Sequence, residues 1–239
     1  MILPTIRASF GRNDILHLVN LLGRHDAELR DAARARLEAQ GMDSLLDDPR
    51  LLNSLLADAD VAAPPALIFY VLVRQALLEG GIDNVVMADF VASLLLAFGR
   101  EGRAYRISDA DQEEFHYLVD IVARLGSSEE RRAFLLRTHM GNFSLWLVGL
   151  FPDFLEARMR RRGAPPLLYY EGMGRSAYRV AAESPEAARL GVDDLYLDVS
   201  RDFSQVRSAL NRISDRYLWP SSGDPVGRLL REVTGRTGP

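Results

Sequence analysis

Two segments of this chain are apolar on nearly every side, and they constrain the fold more than anything else in it. From Ala66 to Leu78 the run Leu67, Ile68, Phe69, Tyr70, Val71, Leu72, Val73 presents no polar face, and between Val85 and Phe98 Asp89 is the sole charge. A helix that is hydrophobic all round must be covered by others. The remaining apolar residues recur mostly at three- and four-residue spacings and hardly ever alternate, so helices supply that cover. The expectation is an all-α fold: a single multi-helix domain, orthogonal or bundle-like, around a buried central set of apolar helices.

Capping and breaking residues divide the chain further. Ile15, Leu18, Val19 and Leu22 mark a first helix opened by Asn13 or Asp14, and a charged second helix runs from about Asp26 to a stop at Gly41. Residues 43–60 read as short helical turns broken by Pro49. Pro65 opens the first apolar helix, and Asn84 precedes the second. Ser108 with Asp111, and Ser127 with Glu130, have capping-box spacing and predict antiparallel helices at about 109–125 and 128–151. Pro152 begins a helix ending at Gly163; another spans about Leu167–Ala182, and Ser184-Pro185-Glu186 starts a further one. The last long helix carries the stripe Phe203, Val206, Leu210, Ile213, Tyr217, suited to closing the core or to a homodimer seam. The divisions expected are an N-terminal helical subregion at 1–62, a core at 63–183, C-terminal helices at 184–220 and a frayed tail at 221–239. No fixed-period repeat argues for a solenoid.

Composition removes whole classes of chemistry. The 239 residues hold 29 Lys+Arg, every one arginine, against 33 Asp+Glu, a net charge of −4. Without lysine there is no Schiff base, P-loop lysine or lysine general base; without cysteine there is no disulfide, thiolate metal site or cysteine nucleophile. The arginine bias is what a GC-rich genome would impose, and the mild acidity argues against a nucleic-acid-binding surface spanning the domain. The first ten residues lack the pattern of a secretory signal, and the uncharged stretch Thr138–Pro152 is too short for a bilayer span. A soluble cytoplasmic protein with no membrane partner and no cofactor is expected.

Five polar constellations are candidates for function. Arg132, Leu135, His139, Asn142 and Trp146 form one helical stripe, either a satisfied core network or the lining of a ligand pocket. Tyr169-Tyr170-Glu171-Gly172-Met173-Gly174-Arg175 combines aromatics, two glycines, an acid and an arginine; close packing explains the glycines, as would an anion site at Arg175. Arg158, Arg160, Arg161 and Arg162 crowd the last turn of a helix, as a solvated end or as a patch for an anionic partner such as nucleic acid. No aromatics alternate with that run, which weakens a base-stacking role. Asp89 in its apolar helix needs a partner, and Arg74 on the neighbouring helix is the expected one, as a structural ion pair. Glu113-x-x-His116 has the ligand spacing of di-iron bundles, with Asp120 one turn on, but Phe115, Leu118, Val119 and Val122 gather opposite, as on a solvated helix. Asp14-x-x-His17 is the one comparable spacing. No Gly-x-Ser-x-Gly elbow or dinucleotide fingerprint is present.

The stretch Thr138-His139-Met140-Gly141-Asn142-Phe143-Ser144-Leu145-Trp146-Leu147-Val148-Gly149-Leu150-Phe151-Pro152, with Tyr169–Gly174 and Tyr178, resembles a group of uncharacterised bacterial all-helical proteins. That resemblance implies the helical fold and no activity. The residues themselves favour a non-enzymatic helical protein acting through a small-molecule pocket or a partner surface, with His139, Asn142, Trp146, Tyr170, Glu171 and Arg175 as its ligand-binding residues. The alternatives are a metal-dependent enzyme using Glu113, His116 and Asp120, and a regulator binding nucleic acid through the arginine run.

Overall fold

The structure, a computed structural model, describes residues 1–24, 26–57, 63–108 and 110–217. Among them are thirteen α-helices and no strand. They are α1 (Arg12–Leu22), α2 (Ala27–Gln40), α3 (Asp43–Leu46), α4 (Pro49–Ala57), α5 (Pro65–Glu79), α6 (Val85–Phe98), α7 (Leu118–Leu125), α8 (Glu130–Leu150), α9 (Pro152–Arg162), α10 (Leu167–Ala182), α11 (Pro185–Leu190), α12 (Asp193–Arg201) and α13 (Phe203–Tyr217). None of these is long and apolar enough to cross a membrane. The tail expected to fray, 221–239, lies outside the described residues, as do residues 58–62 at the end of the stretch expected to hold short helical turns.

Most boundaries follow from local chemistry. The Asp26 carboxylate caps α2 by accepting the Glu28 N–H at 2.8 Å, and Asn84 Oδ1 caps α6 by accepting the Met87 N–H at 2.9 Å. Gly41 closes α2 at φ 78°, which a side chain would resist. At the start of α1 Asp14 accepts the Gly11 N–H at 2.8 Å, so the helix is capped at Gly11, two residues before the expected opening at Asn13 or Asp14.

The helix expected over 109–125 begins only at Leu118. Residues 110–117 are drawn into non-helical bonds instead: the Phe115 N–H donates to the Tyr105 carbonyl at 2.7 Å, while Arg132 binds Asp111 at 2.8 Å and Glu113 at 3.4 Å. Phe115 is thereby pushed into the core at 2% exposure. The serines expected to open the next helix close this one, since Ser128 Oγ donates to the Arg124 carbonyl at 2.7 Å, and α8 starts two residues later.

α8 is the axis of the molecule. It packs on α10, α13 and α7, and reaches α6; α5 pairs with α6 and α13, and α12 lies on α10. From Ala133 to Leu150 all of α8 except Leu135, Arg137 and Leu147 is buried. Close approach explains its glycines, because a Cβ on Gly141 would meet the Tyr178 ring at 2.9 Å and one on Gly149 would meet Leu210 at 2.6 Å. Gly174 on α10 faces Phe203 and Ser144 as tightly, whereas Gly172 faces open space. α13 answers the carbonyls that α8 leaves unpaired at its end: Asn211 Nδ2 donates to Val148 and Gly149, and Ser214 Oγ to Leu150. One apolar core runs from Ile2 to Ile213 and takes in Phe203, Val206, Leu210 and Ile213, so the α13 stripe closes the core of its own chain.

The expected Arg74–Asp89 pair does not form. Arg74, 2% exposed, grips Asp47 with two bonds of 2.7 Å and Asp83 with one of 2.6 Å. Asp89 turns the other way and accepts the backbone N–H groups of Ile6 at 2.8 Å and Arg7 at 3.3 Å. The physical reason is that a buried acid needs donors, not a cation, and the N-terminal segment brings two orphan amides to it. Burial raises the Asp89 pKa, and those two bonds oppose the rise.

Candidate functional site

The α8 stripe is placed in packing. His139, Asn142 and Trp146 are 3%, 2% and 8% exposed. Asn142 Oδ1 accepts the Tyr178 hydroxyl at 2.7 Å, a bond between fully enclosed groups on α8 and α10. His139 sits among Phe98, Phe115 and Phe143 with ring centres 6.0–6.2 Å away, and Trp146 rests on Phe98, Phe143 and Phe151. Burial, reinforced by Arg103, pushes His139 down to about 3, so it is neutral. The open space beside His139 and Asn142 is about 10 Å³, room for one water at most. The pocket expected along this stripe is therefore absent in its own region: aromatic rings fill the volume a ligand needs.

The other expected members scatter. Glu171 ties α10 to α13, accepting the Ser204 hydroxyl and pairing with Arg207 at 3.0 Å. Arg175 projects to solvent, and only its carbonyl is engaged, by Ser200 Oγ at 2.9 Å. Tyr170 borders a depression beside the arginine run.

The metal alternative is likewise corrected. Glu113 and His116 precede α7 and share no helical face with Asp120, which is exposed on it. Glu113 is held by Arg124 at 3.3 Å and Arg132 at 3.4 Å, while His116 pairs with Glu114 at 3.2 Å and stacks on Tyr105. Among the described residues no three His, Cys, Asp or Glu side chains are grouped to hold a metal ion.

The arginine run is where space, charge and aromatic surface meet. A depression of about 350 Å³ is lined by Tyr117, Phe154, Ala157, Arg158, Arg161 and Arg162. A second, of about 230 Å³, shares Tyr117, Arg158 and Arg162 and extends over Phe143, Leu147, Leu155 and Tyr170. Together they form one groove with Arg158 at the junction. Its guanidinium carbon lies 5.6 Å from the Tyr117 ring centre and 5.5 Å from that of Phe154, two cation–π contacts that hold it in place. Arg158 Nε is buried without a hydrogen-bond partner. Among the described residues no carboxylate pairs with Arg158, Arg161 or Arg162, whereas Arg160 meets Glu156 at 3.9 Å on the outer surface. Burial raises the Tyr170 phenol and the nearby Arg158 charge opposes it. The groove thus offers one braced cation, Arg158, with the exposed Arg161 and Arg162 beside it and apolar lining from Phe143, Leu147 and Leu155, suited to an anion that carries an apolar body.

Sequence reasoning missed Tyr117 and Phe154, and placed Tyr169 beside Tyr170 without linking it to the arginine run. Phe154 stands one turn before Arg158 on α9 itself, whereas Tyr117 and Tyr169 are separated from the arginines along the chain and reach them only through the late start of α7 and the turn at Pro165-Pro166. One signal was present: α7 holds Leu118, Val119, Ile121, Val122 and Leu125, more apolar surface than one face buries, and Val119 and Val122 are left exposed. No protein-family model matches this chain, and neither does any curated protein or any solved structure.

Proposed function

We propose that this chain is a non-enzymatic binding protein whose site is the Arg158 groove and whose ligand is an amphipathic anion: a carboxylate, sulfonate or phosphate on an aromatic or acyl body. The observation that carries this is Arg158, half-buried, fixed between two aromatic rings and unpaired, at the point where two depressions join. A cation left unpaired there is costly unless something answers it, and an anionic ligand does so without desolvating a carboxylate of the protein itself. The apolar floor adds area to be removed from water.

Paired fluorescent probes test this. Anilinonaphthalene sulfonate and its uncharged parent N-phenylnaphthylamine share an aromatic body and differ in the anion. Saturable binding of the sulfonate, weakened about tenfold by Arg158→Gln while the uncharged probe is little affected, is the expected result. Equal binding of both probes, or no effect of Arg158→Gln, overturns it.

Single-stranded nucleic acid is the second reading, favoured because Tyr117, Phe154 and Tyr169 flank the arginines in space although they do not alternate with them in sequence. A labelled oligonucleotide that displaces the sulfonate probe at low salt would support it; no displacement removes it.

A further inference from the structure

A small ligand would cover the groove and still leave much of the apolar surface around it bare. Of the eleven large apolar side chains exposed among the described residues, seven lie on 117–122 and 154–169, the segments that build this face. Leu168 is the most exposed of all at 74%, and neither it nor Val122 lines the groove. Val119, at 64%, stands on its edge. Apolar surface concentrated on one face of a chain is an interaction signature.

We propose that this face docks on an anionic lipid bilayer surface, with Leu168, Val119 and Val122 entering the headgroup boundary and Arg158, Arg161 and Arg162 meeting lipid phosphates. This rests on the groove as the anion site. Three features favour a bilayer over a folded partner. Leu168 and Val119 are 74% and 64% exposed, and a fluid surface takes up exposed apolar side chains without needing matching hollows. Tyr117 and Tyr169, 53% and 41% exposed, pair an apolar ring with a polar tip, the character suited to a membrane interface. Arg158, Arg161 and Arg162, without a carboxylate partner among the described residues, concentrate positive charge on a chain that is acidic overall, which complements anionic headgroups. This departs from the expectation of no membrane partner.

Co-sedimentation with phosphatidylcholine vesicles, with and without phosphatidylglycerol, tests the proposal on the full chain. The protein is expected to sediment with phosphatidylglycerol vesicles and to remain in solution with phosphatidylcholine alone, with release at high salt. The double variant Leu168→Asp, Val122→Asp is expected to bind these vesicles roughly tenfold more weakly while keeping its thermal midpoint and its affinity for the naphthalene sulfonate. Arg161→Gln with Arg162→Gln should weaken vesicle binding by about fivefold per charge removed. Wild-type protein that stays in solution with phosphatidylglycerol vesicles, or sediments equally with both compositions, overturns the proposal, as does unchanged binding by the aspartate variant. If vesicle binding fails while the sulfonate probe still discriminates Arg158→Gln, the bilayer is overturned and the groove stands. If both fail, both fall.

Discussion

The middle of α8 and the end of α9 carry the same ingredients, polar groups among aromatic rings, and come to opposite ends. Around His139 the rings of Phe98, Phe115 and Phe143 close in until about 10 Å³ remains, and the imidazole is neutral. Around Arg158 the rings of Tyr117 and Phe154 brace the cation but leave a depression of about 350 Å³ open to solvent. The difference lies in what can be enclosed. A neutral imidazole tolerates burial far better than a guanidinium, whose charge keeps its surroundings open or demands a counter-ion. Polar residues beside aromatics thus mark a site only where unpaired charge and free volume coincide.

The comparison breaks if disturbing the closed region also disables the open one. Phe98 packs edge-on against both His139 and Trp146 and does not line the groove. Phe98→Ala is expected to cost about 3–5 kcal/mol of stability by denaturant titration, with sulfonate binding by the folded protein unchanged. A parallel loss of binding would join the two regions into one.

Acid should reach the closed region first. The unfolded imidazole takes up its proton near pH 6.5 and the folded one only near pH 3. The contribution is whole above about pH 6.5 and is lost as pH falls through that window. Between about pH 6.5 and 4 the wild type should lose about 2–3 kcal/mol more than His139→Phe does. Parallel curves for the two would show His139 to be hydrated in the folded state.

Two smaller effects sharpen the contrast. Asn142→Ala strands the Tyr178 hydroxyl inside the core and should cost about 2 kcal/mol in stability, whereas Asn142→Ala with Tyr178→Phe should recover part of that loss. Arg158→Gln should cost about 1.4 kcal/mol in sulfonate affinity, with little change in thermal midpoint. If Arg158→Gln instead lowers the midpoint strongly, the arginine holds the fold together and the groove loses its main support.

Local signals were read well because they act within a few residues. The helix starts near Asp26 and Asn84, the Gly41 stop, the prolines at the starts of α5, α9 and α11, and the burial of α5 and α6 all followed from neighbours in sequence. What failed depended on distant partners. Residues 110–117 have helical periodicity, yet Arg106, Arg124 and Arg132 capture their carboxylates and Tyr105 their backbone. Asp89 and Arg74 lie on adjacent helices, yet each had better partners elsewhere. α12 was not anticipated at all; its Leu195, Tyr196 and Val199 pattern is short and becomes a helix against α10. Among the candidate ligand residues only Tyr170 and three of the four arginines meet in the groove, because the stripe geometry of α8 was legible and the volume around it was not.

Periodicity and residue inventory suffice for an all-helical chain with α5, α6 and α8 at its centre, and for cationic chemistry carried by arginine without lysine or cysteine. Periodicity, capping and residue inventory are properties of short windows, and the physics that reads them is local. Which polar groups are sealed and which stay open to solvent follows from the packing of distant helices. That outcome depends on how closely helices distant in sequence approach, on Gly141 and Gly174 admitting Tyr178 and Phe203 so tightly that a Cβ would clash with their rings, and on Arg158, Arg161 and Arg162 having no carboxylate partner among the described residues.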